Sequence, residues 1–294
     1  MEFSRIFLLP DGGVRCPWRV ALFPVLFAAS YVFAAWLASS LFERPTLVAQ
    51  VIILAGATVG ATWPMMRWVE HRPFVAVGFG FDRPWPQEAI RGAGLGVVLA
   101  GGTVAVEKAL GLITFQPSGI SSAVAVSAGI PMMGLLIFAA TSEELLFRGY
   151  PFQRVVEGAG PWAGVGIFSS LFGGIHALNP HATALSVLNT VLAGVLLSLA
   201  YLATGALWFP IGLHFAWNTS LALGGLPVSG LHLMQMPWQA VPVSQYSWLH
   251  GGSYGPEGGL VASIVLVGGV AYLLKRMPPS AAETAAPTAS QVES

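Results

Sequence analysis

The sequence predicts an all-α bundle of about eight helices that crosses a membrane repeatedly, and three observations predict it. Hydrophobic residues make up 55% of the 294 and charged residues only 9%, against roughly 25% charged in an ordinary soluble domain. Apolar runs of about the length that crosses a hydrocarbon core recur along the chain, punctuated by Pro, Gly and charge. The basic residues fall unevenly about those runs, as they do in membrane proteins whose loops are sorted by charge.

In chain order the runs lie at 18–40, 47–66, 89–110, 123–147, 161–178, 183–204, 206–223 and 259–274. The first exceeds the roughly 7–15 residues of a signal-peptide core and lacks a cleavage site, so it is expected to be a retained helix. Between the second and third runs, 67–87 carries most of the early charge with Pro73, Pro84 and Pro86, an interfacial loop. The stretch 224–258 is a long connection rich in Gly, Pro and Trp, and its Trp238, Tyr246, Trp248 and Tyr254 suit the headgroup layer. Residues 1–276 therefore form a single transmembrane domain. Residues 277–294 are a polar, low-complexity stretch expected to be a disordered cytoplasmic tail. No internal repeat is visible, which gives an inverted-repeat transporter no support.

Lys+Arg and Asp+Glu are both 13, so no global charge bias draws nucleic acid, which is excluded as a partner. Cys16 is the only cysteine, and no intrachain disulfide can form. With the N-terminus in the cytoplasm, every basic residue except Arg44 and Lys108 falls on the cytoplasmic side. Both termini are expected there.

An ionised side chain near the bilayer centre costs at least about 2.5–3.5 kcal/mol on insertion scales, so polar groups inside the runs call for a partner or a purpose. Three clusters stand out. Thr141-Ser-Glu-Glu-Leu-Leu-Phe-Arg148 ends the fourth run. Glu144 and Arg148 are four apart and share a helix face, whereas Glu143 points about 100° away and is left available. Two adjacent acids in apolar surroundings are a setting in which one serves as a general base. The second cluster is Phe172-Gly-Gly-Ile-His176, followed by Asn179 and, beyond Pro180, a loop residue His181. The third is His214-Phe-Ala-Trp-Asn218, whose spacing stacks imidazole and carboxamide on one face. Taken alone, His176 could equally be a helix-to-helix hydrogen bond, and the His214–Asn218 pair is the less open to that reading. His71, His232 and His250 fall in loops and are read as solvated.

If the helix carrying Glu143 continues to about Glu157, Glu143 and His176 both lie fifteen residues from the turn at 158–161, about 22 Å at 1.5 Å per residue. They then meet at one depth, with His214 and Asn218 nearby. Such a constellation hydrolyses in one of two ways. Glu143, His176 and His214 could hold a zinc ion that activates water. Alternatively Glu143 with His176 deprotonates the water, while His214 and Asn218 donate to the oxyanion. No HExxH or GxSxG is present, and Cys16 lies far from the clusters. A proton-coupled transporter and a non-catalytic membrane scaffold would also use buried Glu, Arg and His.

The three motifs in order, Glu143-Glu144 to Arg148, Phe172 to His176 and His214 to Asn218, resemble the CPBP intramembrane proteases, the family of CAAX prenyl endopeptidases and Abi, bacteriocin-immunity-like proteins. The likeness covers a CAAX-protease-like core of about residues 120–223. It implies peptide-bond hydrolysis in the membrane, with Glu143, Glu144, His176, His214 and Asn218 catalytic and Arg148 and Phe172 supporting them. It also implies a membrane-embedded or lipidated substrate and a location in a bacterial cytoplasmic membrane. Members are conventionally classed as metalloproteases. The sequence fixes no cofactor; zinc on Glu143, His176 and His214 is the metal version, and the Asn favours the metal-free one.

Overall fold

The computed structural model describes Phe7 and residues 13–41, 46–82 and 84–276. The tail 277–294 lies outside the described residues, as do Arg5, Arg44 and Arg83 among the basic residues used for orientation. The apolar runs become helices: α1 Cys16–Leu41, α2 Leu47–Pro64 with a π turn Met65–Val69, α3 Trp85–Ala109 and α4 Ser122–Phe147. There follow α5 Tyr150–Ala159, α6 Pro161–His176, α7 Ala184–Thr204, α8 Trp208–Leu223, the single turn α9 Ser247–His250, and α10 Leu260–Leu274. Two short strands, β1 Ile113–Pro117 and β2 Trp238–Pro242, pair antiparallel. This is the expected all-α polytopic bundle.

Among the described residues, five stretches are long and apolar enough to cross a membrane: α1, α2 with its π turn, α3, α4 continuing into α5, and α7. The remaining apolar runs yield α6 and α8 of 16 residues and α10 of 15, about 24 Å at 1.5 Å per residue. The outer face of α1 shows why lipid is the solvent. Val25, Val32 and Trp36 are more than 60% exposed, a surface suited to acyl chains on a helix long and apolar enough to span them. The chain is an integral membrane protein.

The fourth helix does not run to Glu157. It stops at Phe147, the chain leaves helical geometry at Gly149 (φ −76°, ψ −137°), and a new helix starts at Tyr150. A Cβ at Gly149 would run into the carbonyl of Leu145, so only glycine fits this corner. Pro151 in the new first turn lacks an N–H, which suits a start and not a continuation. The new helix α5 buries Tyr150, Phe152 and Val155 while Arg154 and Glu157 reach a polar edge.

That edge ties three elements together. Arg19 at the start of α1 and Arg154 on α5 each pair with both Glu70, after the π turn, and Glu157. Tyr150 donates its hydroxyl hydrogen to Glu70 at 2.7 Å. At the far end of α3, Lys108 lies over the Phe115 ring of β1.

Helix α8 is held most extensively by α3. Gly92 and Gly96 on α3 sit against the Phe209 and Leu213 carbonyls, and Gly212 on α8 sits against Ala89. A Cβ at any of the three would collide, so the small residues set a close backbone approach. With one side of α8 pressed on α3, the side bearing His214, Trp217 and Asn218 faces the interior.

Two expectations for the 224–258 connection fail. The connection folds back through the β1–β2 pair and a bridge between Val228 and Leu231 to cover the end of the bundle. Tyr254 is 1% exposed and belongs to the interior, although Trp238, Tyr246 and Trp248 do sit outside. His250 is also buried and not solvated. Its Nε2 donates to the Ser244 carbonyl and its Nδ1 accepts from the Gly252 N–H, so both nitrogens are used by the turn itself.

Candidate functional site

Glu144 is fully buried in the last turn of α4, and its Oε1 accepts twice: from Arg148 at 3.2 Å and from His214 Nδ1 at 2.8 Å. Arg148, also fully buried, donates further to the Gly194 carbonyl at 2.8 Å and to Ser198 Oγ at 3.4 Å. Its guanidinium stacks 4.9 Å from the Phe172 ring centre, so no part of the cation meets lipid unaided. A carboxylate opposite Nδ1 fixes the proton there and orients the ring of His214, leaving Nε2 turned towards Glu143.

Glu143, one residue earlier, has a different fate. Its side chain is 23% exposed, and Oε2 stands 4.0 Å from His214 Nε2, too far for a direct hydrogen bond. That oxygen has no hydrogen-bond partner among the described residues. The 100° offset between neighbours on a helix sends Glu144 into the protein and Glu143 into a cavity.

That cavity is about 510 Å³, and Glu143, His176, His214, Asn218 and Phe172 line it together. His176 closes α6, where its Nδ1 donates to the Phe172 carbonyl at 2.8 Å, which leaves Nε2 as an acceptor. Phe172 packs 4.4 Å from the His176 ring and 6.0 Å edge-on to His214, so one aromatic positions both imidazoles. Asn218, one turn beyond His214, makes no hydrogen bond to another protein group among the described residues. Glu144 and Arg148 stand behind the lining. One side of the remaining wall is largely apolar, with Phe27 and Tyr31 from α1, Leu47 and Val51 from α2, and Leu135 and Leu136 from α4.

Glu143, His176 and His214 share the cavity, but among the described residues no three His, Cys, Asp or Glu side chains stand close enough to hold a metal ion. The set does not fit a metal in this conformation.

Several lining groups were not singled out from the sequence. Glu257 in the 224–258 connection reaches the same cavity and accepts from Trp217 Nε1 at 2.9 Å, from Ser229 Oγ at 3.1 Å and from the Ser229 backbone N–H. Asn189 on α7 donates to the Glu257 and Gly259 carbonyls, and its own oxygen accepts from Ser263. Asn179, visible in the sequence beside the second motif, lines the cavity as well and donates to the Ser229 carbonyl at 3.2 Å. One signal was available: Glu257 is the only acid between Glu157 and Glu283.

Residues 125–220 match the family model described as type II CAAX prenyl endopeptidase, Rce1-like. The match spans about a third of the chain, takes in all three polar motifs, and agrees with the resemblance those motifs carry. No curated protein and no solved structure matched the chain.

Proposed function

We propose that this cavity hydrolyses a peptide bond of a membrane-embedded or lipidated substrate by a metal-free mechanism. The observation that carries the reading is the unequal treatment of two neighbouring acids. Glu144 is neutralised through Oε1 by Arg148 and His214, whereas Glu143 lines the cavity with no ionic partner among the described residues nearer than His214 Nε2 at 4.0 Å. A water bridging Glu143 and His214 Nε2 would span their 4.0 Å gap. Glu143 takes one proton from that water as it attacks the scissile carbonyl, and His176 Nε2 is a second acceptor at the same cavity. The oxyanion receives hydrogen bonds from the Asn218 carboxamide and from His214 when Nε2 carries a proton. Glu143 then returns the proton to the leaving amine, and the C–N bond breaks. The apolar walls from α1, α2 and α4 suit a hydrophobic substrate chain.

The polar edge joining Arg19, Glu70, Arg154 and Glu157 supports the orientation proposed here, because it gathers basic residues from α1 and α5 at one end of the bundle. We place that end, and both termini, in the cytoplasm.

The test compares peptides accumulating in membranes that carry the wild type, Glu143→Ala or His176→Ala, with and without a chelator. Wild-type cleavage that stops in both variants and survives chelation is the expected result. Cleavage persisting in both variants would overturn the mechanism, and loss of wild-type cleavage on chelation would replace the metal-free version with a zinc one. A transporter predicts uptake lost in Glu143→Ala with no peptide cut, and a scaffold predicts function retained.

A further inference from the structure

The cavity is acidic on two walls. Its titratable lining comprises Tyr31, Glu143, His176, His214 and Glu257, with no Lys or Arg from the described residues. Arg148, the guanidinium behind Glu144, is fully buried and already paired with it. Glu257 has no cationic partner among the described residues. Three neutral donors hold it instead, Trp217 Nε1 and the two Ser229 groups, while Asn189 pins its backbone carbonyl at 2.8 Å. Its direction is therefore fixed from both the α8 and the α7 side.

Its position relative to the chemistry follows from α8. Trp217 lies three residues beyond His214 and next to Asn218, so Glu257 meets that helix about one turn, roughly 5 Å of rise, from His214. An extended peptide advances about 3.3 Å per residue. A substrate strand whose carbonyl sits at His214 and Asn218 thus brings a side chain one or two residues away opposite Glu257. Resting on the endopeptidase reading above, we propose that Glu257 is a specificity-determining residue that selects a substrate segment with a Lys or Arg one or two residues from the bond cut. It disfavours an acidic residue or a free terminal carboxylate at that place. The apolar walls strengthen the discrimination, since a charge there is poorly screened.

The experiment measures binding as well as cleavage. Glu143→Gln protein in nanodiscs of neutral lipid is titrated with fluorescent apolar peptides that differ only in Lys, Gln or Glu at one position near the centre. Empty nanodiscs give the background. Lys is expected to bind about tenfold tighter than Gln, and Glu weaker than Gln, the size of one partly solvated charge contact. Glu257→Gln added to this protein should flatten the order, and Ser229→Ala, which keeps the carboxylate, should preserve it. Equal weakening of all three peptides in the Glu257→Gln protein would make Glu257 a mere latch for the covering loop and overturn the proposal. So would the absence of a charge order before that substitution. If the order holds while the wild type cuts none of the peptides, the selectivity stands and the endopeptidase reading falls. If the wild type cuts without charge preference, only the selectivity falls.

Discussion

Two ionic clusters join helices in this bundle, and they differ in balance. At the polar edge, Arg19 and Arg154 face Glu70 and Glu157, each cation meeting both anions, two charges of each sign. At the cavity, Arg148 and His214 both converge on Glu144, and Glu143 is left over. The edge lies where water and headgroups can reach it, with Glu157 44% exposed, while Glu144 and Arg148 are fully buried. A cluster that only fastens helices satisfies every charge it contains. A surplus acid in apolar surroundings is costly to maintain; Glu107 on α3 is another, with both oxygens unpartnered among the described residues, and what sets Glu143 apart is its place in the cavity beside two imidazoles.

The largest effect that would break this contrast comes from Arg148→Met. Truncating one partner of a fully buried pair leaves the other charge stranded, so a loss of about 3–5 kcal/mol is expected. The readout is thermal unfolding in detergent. The double variant Arg148→Met with Glu144→Leu should recover much of that stability, because a buried pair replaced by apolar groups is often neutral. It should not recover hydrolysis, since His214 would lose the carboxylate on Nδ1. A single variant as stable as the wild type would show that the cavity pair is no tighter than the edge. Asn218→Ala comes next: a drop of about 10²-fold in kcat with little change in KM is expected for a lost oxyanion donor. A change confined to KM would move Asn218 from the reacting carbonyl to substrate binding.

Much of this contrast was legible in the chain. The i,i+4 spacing of Glu144 and Arg148 and the offset of Glu143 required only helix geometry, and the eight apolar runs mark the long helices. The corner at Gly149 was missed because the apolar run gives way there to an amphipathic segment that reads as its continuation. Depth agreement between Glu143 and His176 was inferred from one straight helix; the cavity unites them although that helix is broken. Glu257, Tyr254 and His250 were hidden for a common reason. Composition assigns a Gly- and aromatic-rich connection to the interface, but only the pairing of β1 with β2 reveals that it folds inward. The His214 to Glu144 hydrogen bond was equally out of reach, since it joins residues seventy apart.

The smallest expected effect sharpens the comparison from the other side. Glu157→Gln removes one charge from the edge, yet Arg19 and Arg154 each retain Glu70. A partly exposed pair is worth about 0–1 kcal/mol, so the unfolding midpoint should fall only slightly. Because the pair is screened by mobile ions, the difference from wild type should shrink further between low and high salt. Hydrolysis should be unaffected, since Glu157 is remote from the cavity lining. A loss as large as that of Arg148→Met, or one insensitive to salt, would mean that the edge is as dry and as tightly coupled as the site. Charge balance would then no longer separate fastening from chemistry in this fold.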